Sequence, residues 1–205
     1  IGSGSGLDVA NAAAQNGMKV AVIERDRMGG TCLNRGCIPS KLLIHSADVM
    51  ETIRTARTFG ISVDSTSVNF DRIMKRTYDI IDPDSEGIRK AFENIDNPVL
   101  FNAECRFIGE KQIEAAGKTI TADKILIAAG TRPGIPKLEG LEDSGFITSD
   151  EALRIKDQPK VLTIIGGGYI ACEMCHFFGS LGSKVNIIQR RDVLLANEDE
   201  EIAGR

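Results

Sequence analysis

Apolar positions in this chain switch between a helical spacing and short continuous runs, and the switches predict the order of its elements. An alanine-rich segment (Ala10, Ala12, Ala13, Ala14) stops at Gly17 and gives way to a strand from Lys19 to Ile23, which ends in Glu24. Leu42, Leu43, Ile44, Ala47, Val49, Met50, Ile53 and Ala56 recur at roughly helical spacing, which predicts a helix opening near Cys37. Residues from Asn69 to Ile95 read as mostly helical with an interruption at Pro83, and strand-like pieces follow around Val99 to Phe101 and Ile113 to Ala115. Two longer apolar runs, Lys124 to Ala129 and Val161 to Ile165, predict buried strands. Between them, Pro133, Gly134, Pro136 and Gly140 mark a linker, and Thr148-Ser149-Asp150-Glu151 reads as a capping box opening a short helix. A helix to Leu181, then Gly182 and a strand from Lys184 to Ile188, complete the pattern.

Strand, glycine turn, helix and strand thus occur twice, which predicts an α/β chain on mostly parallel sheets. In the first unit, which opens as if in mid-strand at Ile1, Gly2, Gly4 and Gly6 precede the alanine-rich helix. Such glycines let backbone N–H groups approach a pyrophosphate at a helix N-terminus, and an acidic residue about 20 positions on binds a ribose hydroxyl, a role that Glu24 is placed to fill. Arg25 follows it as a further candidate cofactor contact. The third glycine of GxGxxG is replaced by Leu7. The second loop, Gly166-Gly167-Gly168-Tyr169-Ile170-Ala171, is a GxGxxA turn between an apolar run and a helix. Gly166, Gly168, Tyr169 and Ile170 are its candidate contacts to a second dinucleotide. The strand after it ends in Gln189-Arg190-Arg191, where an NAD-specific unit would carry Asp or Glu; arginines suit a 2′-phosphate, so NADP is the preferred nucleotide.

Cys32 and Cys37, with four residues between them in Gly29-Gly30-Thr31-Cys32-Leu33-Asn34-Arg35-Gly36-Cys37-Ile38-Pro39-Ser40-Lys41, carry the chemistry. A disulfide closed across so short a loop is strained and reducible, which suits a working redox pair. A helix N-terminus and a nearby cation both favour a thiolate. A zinc site needs further ligands, and only His45 is close, so no metal is expected.

This segment resembles the active-site motif GGTCLNxGCIPSK of the class I pyridine nucleotide-disulfide oxidoreductases, whose members include dihydrolipoyl dehydrogenase, mycothione reductase and mercuric reductase. The resemblance runs from Ile1 to about Leu195. It implies that Cys32 is the interchange thiol that meets substrate, that Cys37 is the thiolate against the flavin, and that Lys41 lies near the flavin and pairs with Glu173. Tyr169 would cover the flavin face until nicotinamide displaces it. Ala129-Gly130-Thr131 stands where the family has an Ala-Thr-Gly type motif closing the first domain on FAD, and Gly30 and Thr31 join the same contacts. The implied fold is an FAD-binding Rossmann-like domain with the redox disulfide, residues 1–145, followed by the first part of an NAD(P)-binding Rossmann-like domain, residues 146–205. The implied activity passes electrons between NAD(P)H, FAD and the Cys32–Cys37 disulfide, on a lipoyl-type or small-molecule disulfide. A dihydrolipoyl dehydrogenase-like enzyme and an NADPH-dependent mycothione-type reductase are alternatives, and a homodimer is expected from the family.

Composition narrows the partners. The chain has 205 residues, a net charge of −4 and no basic cluster, which argues against nucleic acid. Its apolar runs are far shorter than the ~20 residues of a membrane helix. Five cysteines without framework spacing point to a reducing, cytoplasmic setting, with Cys105, Cys172 and Cys175 read as small buried hydrophobes rather than, with His176, metal ligands. The family's interface domain and its His-Glu pair have no match here, and neither His45 nor His176 fits that motif, so the chain is expected to be a piece of a longer enzyme. A flavin-binding module without turnover is the rival from another class; a purely structural adaptor leaves the cysteine pair without a role.

Overall fold

A computed structural model describes residues 1–204, which form two compact α/β units: residues 1–38 with 79–144, and residues 39–78 with the chain from Gly145 onward. In the first, the glycine turn leads into α1 (Gly6–Gln15), and Gly17 at φ 79° turns the chain into β1 (Ala21–Glu24). A short α2 (Gly30–Arg35) and the longer α3 (Cys37–Thr55) follow, the latter continuing into the second unit. α4 (Phe70–Glu93) returns to the first unit and delivers β2 (Val99–Asn102), which pairs in parallel with β1 from Ala21 opposite Val99 to Glu24 opposite Asn102. Ala10, Val22, Met28 and Phe92 form a buried cluster here, with Leu7, Ile88 and Leu100 packed against it. Leu7 therefore stands in the third glycine position because its side chain fills this core.

β3 (Cys105–Gly109), β4 (Gln112–Ala115) and β5 (Lys118–Thr121) make an antiparallel meander, two of whose strands extend what the sequence pattern predicts. Ala116 and Gly117, at φ 51° and 70°, form the two-residue turn whose twist matches the flanking strands. Ile113 and Ala115 turn inward onto Ile23, with Phe101 and Ile125 beside them.

Three expectations about elements are corrected. Residues 124–129 do not form a buried strand: Leu126 and Ile127 are exposed, and among the described residues only Ile1 pairs with the segment, donating to Leu126 O and accepting from Ala128 N. One residue on the neighbouring side is too short to build a ladder. Pro83 does not interrupt α4. A proline inside a helix costs about 3 kcal/mol or more, and here buried anchors on both sides of it, Thr77 and Ile81 before and Ser85 after, hold the helix through. Ser85 Oγ also donates to Met28 O at 2.7 Å.

In the second unit α5 (Ser149–Ala152) opens on the expected capping box: Thr148 Oγ1 accepts from Asp150 N, and the Glu151 carboxylate accepts from Thr148 N. β6 (Val161–Ile165), α6 (Tyr169–Ser180) and β7 (Lys184–Ile188) form a parallel βαβ turn, and a short α7 (Glu200–Ala203) follows. The Val161–Ile165 strand is not buried as expected: it is half-buried on one face and exposed on the other. Leu162, Ile164 and Val185 pack under α6, whereas Val161, Ile165 and Ile188 are exposed. Spacing explains α6: Ala171, Met174, Phe177, Phe178 and Leu181 fall on one face and are buried, against Leu43 and Ala47 of α3 and Phe70 and Met74 of α4. Phe70, Phe177 and Phe178 stack at centroid distances of 4.8–6.2 Å. Among the described residues no helix is long and apolar enough to cross a membrane.

Candidate active site

The dithiol is assembled by a helix break. Cys32 lies in α2, Gly36 ends that helix, and Cys37 opens α3, so the two sulfurs meet at 2.7 Å with Cys32 as donor. A side chain at Gly36 would press on Thr31 and the Cys32 backbone, the former at 3.0 Å, which explains a glycine at the break. Both cysteines are exposed. Cys37 beside it, and then desolvation, push the Cys32 thiol up, while the backbone N–H groups of Cys37 and Ile38 pull the other way. Cys37 faces Cys32 from the first residue of α3, and a helix N-terminus favours negative charge. Asn34, buried, ties the turn together by donating to Met28 O at 2.9 Å and Gly30 O at 3.0 Å.

Next to the dithiol lies a cleft of about 690 Å³ in the same unit. Of the first-unit candidates, Gly2, Gly4, Glu24, Arg25, Gly30, Thr31, Cys32, Ala129, Gly130 and Thr131 line it, while Gly6 is buried beneath the turn and Cys37 lies outside the lining. Two glycines are demanded by close approach. A Cβ on Gly2, at φ 104°, would run into the Ala128 carbonyl, and one on Gly30, at φ 67°, would lie 2.5 Å from Gly4 Cα. The two glycine turns therefore touch backbone to backbone and leave a bare peptide floor ahead of α1, the arrangement a pyrophosphate requires. This cradle fits a dinucleotide such as FAD, and the cleft volume suits one.

Ser3 escaped the sequence reading. It is 1% exposed, its N–H and hydroxyl both donate to Glu24 Oε2 (3.0 and 2.8 Å), and its Oγ accepts from Gly29 N at 3.2 Å. Glu24 thus braces the glycine turn as well as facing the cleft. The only sequence signal was a small hydroxyl between two glycines. Asp26, Arg35 and Arg132 also went unnoticed as a group: Arg35 pairs with Asp26, Arg132 lies 3.9 Å from it, and the Arg35 hydrogen bond holds the Asp26 carboxyl below its usual range.

In the second unit, the Gly166 turn is held by Gly166 N donating to Ile188 O at 2.8 Å, and Gly168 caps α6. Tyr169 and Ile170 are exposed at this helix start, Tyr169 by 70%. Gln189 lies against Gly167, and Leu195 N donates to Gly167 O at 2.7 Å. Arg190 and Arg191 are exposed just past β7, and Arg191 donates to Ala196 O at 2.7 Å. The structure brings Lys41 and Glu173 together as an ion pair between α3 and α6. Lys41 is largely exposed, with 62% of its side chain accessible to solvent. His176 meets Asp48 at 2.8 Å along the same two helices. Cys105, Cys172 and Cys175 are half-buried rather than buried, because β3 and α6 each keep a flank open. Among the described residues no group of three or more His, Cys, Asp or Glu is placed to hold a metal ion.

Known proteins resemble this chain in sequence and in fold. The chain is 35% identical over 215 residues to mycothione reductase from Mycobacterium tuberculosis, covering 100% of this chain and 46% of the relative. It is 35% identical over 221 residues to dihydrolipoyl dehydrogenase from Bacillus subtilis, covering 99% and 46%. A mercuric reductase from Bacillus cereus is 34% identical over 207 residues, at 99% and 32%. The chain thus spans about half or less of the length of these relatives. Among solved structures, a Cu(II) complex of the HOCl-induced flavoprotein disulfide reductase RclA from Escherichia coli superposes with a TM-score of 0.84 at 29% identity, over 99% of this chain and 44% of that one. With the model of one family matching residues 1–205 from end to end, this chain belongs to the pyridine nucleotide-disulphide oxidoreductases.

Proposed function

We propose that this chain is the FAD-binding part and the start of the NAD(P)-binding part, residues 1–145 and 146–205, of an enzyme that moves two electrons between NAD(P)H and a substrate disulfide through Cys32 and Cys37. The observation that carries the reading is the dithiol, sulfurs 2.7 Å apart, with Cys32 on the wall of a cleft that has a bare peptide floor. Gly2, Gly4 and Gly30 would hold the pyrophosphate, Glu24 and Arg25 the ribose end, and Ala129, Gly130 and Thr131 the opposite wall. FAD held by these residues would supply two-electron transfer chemistry between a nicotinamide and sulfur. The residues do the rest. Cys32 exchanges with the substrate disulfide and Cys37 resolves the mixed disulfide. NADP is the preferred nucleotide because Arg190 and Arg191 stand exposed beyond β7, where a 2′-phosphate would be read. The relatives support small-molecule or lipoyl-type disulfides as substrates. A homodimer and a reducing, cytoplasmic setting complete the proposal, the latter from three further cysteines without disulfides.

The test is an anaerobic spectral titration of the intact flavoprotein with NADPH and NADH in parallel. A long-wavelength charge-transfer band at two electrons, absent in Cys37→Ser, is the expected result, with NADPH the faster donor. Flavin bleaching without the band, or no flavin retained, overturns the disulfide mechanism; a band formed faster with NADH overturns the nucleotide assignment alone.

A further inference from the structure

Cys32 borders two cavities, and only one of them is the dinucleotide cleft. The second, about 410 Å³ in the same unit, is walled by Cys32, Leu33, Ile38, Asp84 and Ile88 over Gly29. Its walls are aliphatic except for the sulfur and one carboxylate. Along α4 the neighbouring acids are neutralised: Asp82 pairs with Arg27, while Glu86 and Glu93 pair with Arg89. Asp84 is exposed and has no basic partner among the described residues. A thiol, an apolar wall and an uncompensated negative charge thus face one recess.

We propose that this recess receives the substrate disulfide and that Asp84 makes it select a small disulfide with an aliphatic skeleton and a cationic group, such as an ammonium. The inference rests on the redox reading above and deepens it. Cys32 gives up its proton to solvent and attacks one substrate sulfur as the thiolate, the substrate S–S bond breaks, and the first thiol leaves with a proton from solvent. The second half stays as a mixed disulfide on Cys32, its methylenes against Leu33, Ile38 and Ile88 and its cation toward Asp84. Attack of Cys37 on Cys32 then closes the protein disulfide and frees the second thiol, which takes another proton. NAD(P)H returns the two electrons. Because Asp84 is open to water, the preference is modest, about three- to fivefold, and it fades with salt.

The experiment compares kcat/KM of the intact flavoprotein for cystamine, bis(2-hydroxyethyl) disulfide and 3,3′-dithiodipropionate, which share short aliphatic skeletons and carry positive, neutral and negative ends. The expected order is cystamine, then the neutral disulfide, then the dianion, with the cystamine-to-dianion ratio collapsing toward one in Asp84→Asn, restored in Asp84→Glu, and shrinking at high salt. Equal rates for the three, or a ratio unchanged in Asp84→Asn, overturn the role of Asp84 while leaving the redox reading intact. Turnover of none of them, with two protein thiols failing to appear on NADPH reduction, overturns the redox reading and this inference with it.

Discussion

At the scale of single residues, the chain's chemistry depends on which atoms are left out as much as on which are present. Gly2 and Gly30 lack the Cβ that would collide with the Ala128 carbonyl and with Gly4 Cα, and so two turns can share one peptide floor. Gly2→Ala is expected to lower the flavin-to-protein ratio of the purified protein severalfold, since alanine disfavours φ 104° and meets backbone there; absorbance at the flavin and protein bands reads it directly. The cysteines differ by their surroundings and not by their type. Because Cys37 is the largest cause raising the Cys32 thiol, Cys37→Ser is expected to shift the pH profile of Cys32 alkylation by iodoacetamide to lower pH. A profile that stays put would mean that the neighbouring sulfur does not hold the Cys32 proton. Cys32, Cys37 and Glu24 were legible because their spacing is characteristic. Ser3 and Asp84 were not: a serine among glycines and an aspartate on a charged helix carry no pattern until the fold places them beside Glu24 and Cys32.

Elements follow their local signals where packing agrees with them. The α5 capping box was readable from Thr148 and Glu151 because a cap is a contact between residues three apart. Thr148→Ala is expected to cost about 1 kcal/mol, seen as a lower urea midpoint with an unchanged slope. α4 shows the opposite case. The proline signal at Pro83 pointed to a break, but the helix is held by side chains far apart in sequence, Phe70 and Met74 in one core and Ile88 and Phe92 in another. Residues 124–129 fail as a strand for a related reason: an apolar run supplies β propensity, yet a ladder needs a partner, and among the described residues Ile1 alone supplies one.

For the molecule as a whole, electrostatics favours the folded state at neutral pH despite the net charge of −4. Asp26 beside Arg35, Glu51 beside the Ser180 hydroxyl, Glu86 beside Arg89 and Glu151 beside the Thr148 hydroxyl are all held below the ordinary carboxylate range. A depressed folded-state pKa contributes stability that is present above the unfolded value near 4 and is lost as pH falls through the folded values. Thermal denaturation is therefore expected at a nearly constant midpoint from pH 7 to about 5 and at a falling one below about 4. A midpoint that rises on acidification would contradict these assignments.

The sequence by itself determined the two glycine turns, the cysteine pair, the helix that begins at Cys37, and the α/β alternation, because each is written in neighbours or in a short period that the backbone obeys locally. Tertiary structure alone decided which faces are buried, how α4 survives its proline, that His176 meets Asp48 across 128 positions, and that Cys32 borders a second recess. Those outcomes depend on long-range packing, where residues far apart in the chain share one core, and no local pattern of apolar and polar positions encodes which of them will meet.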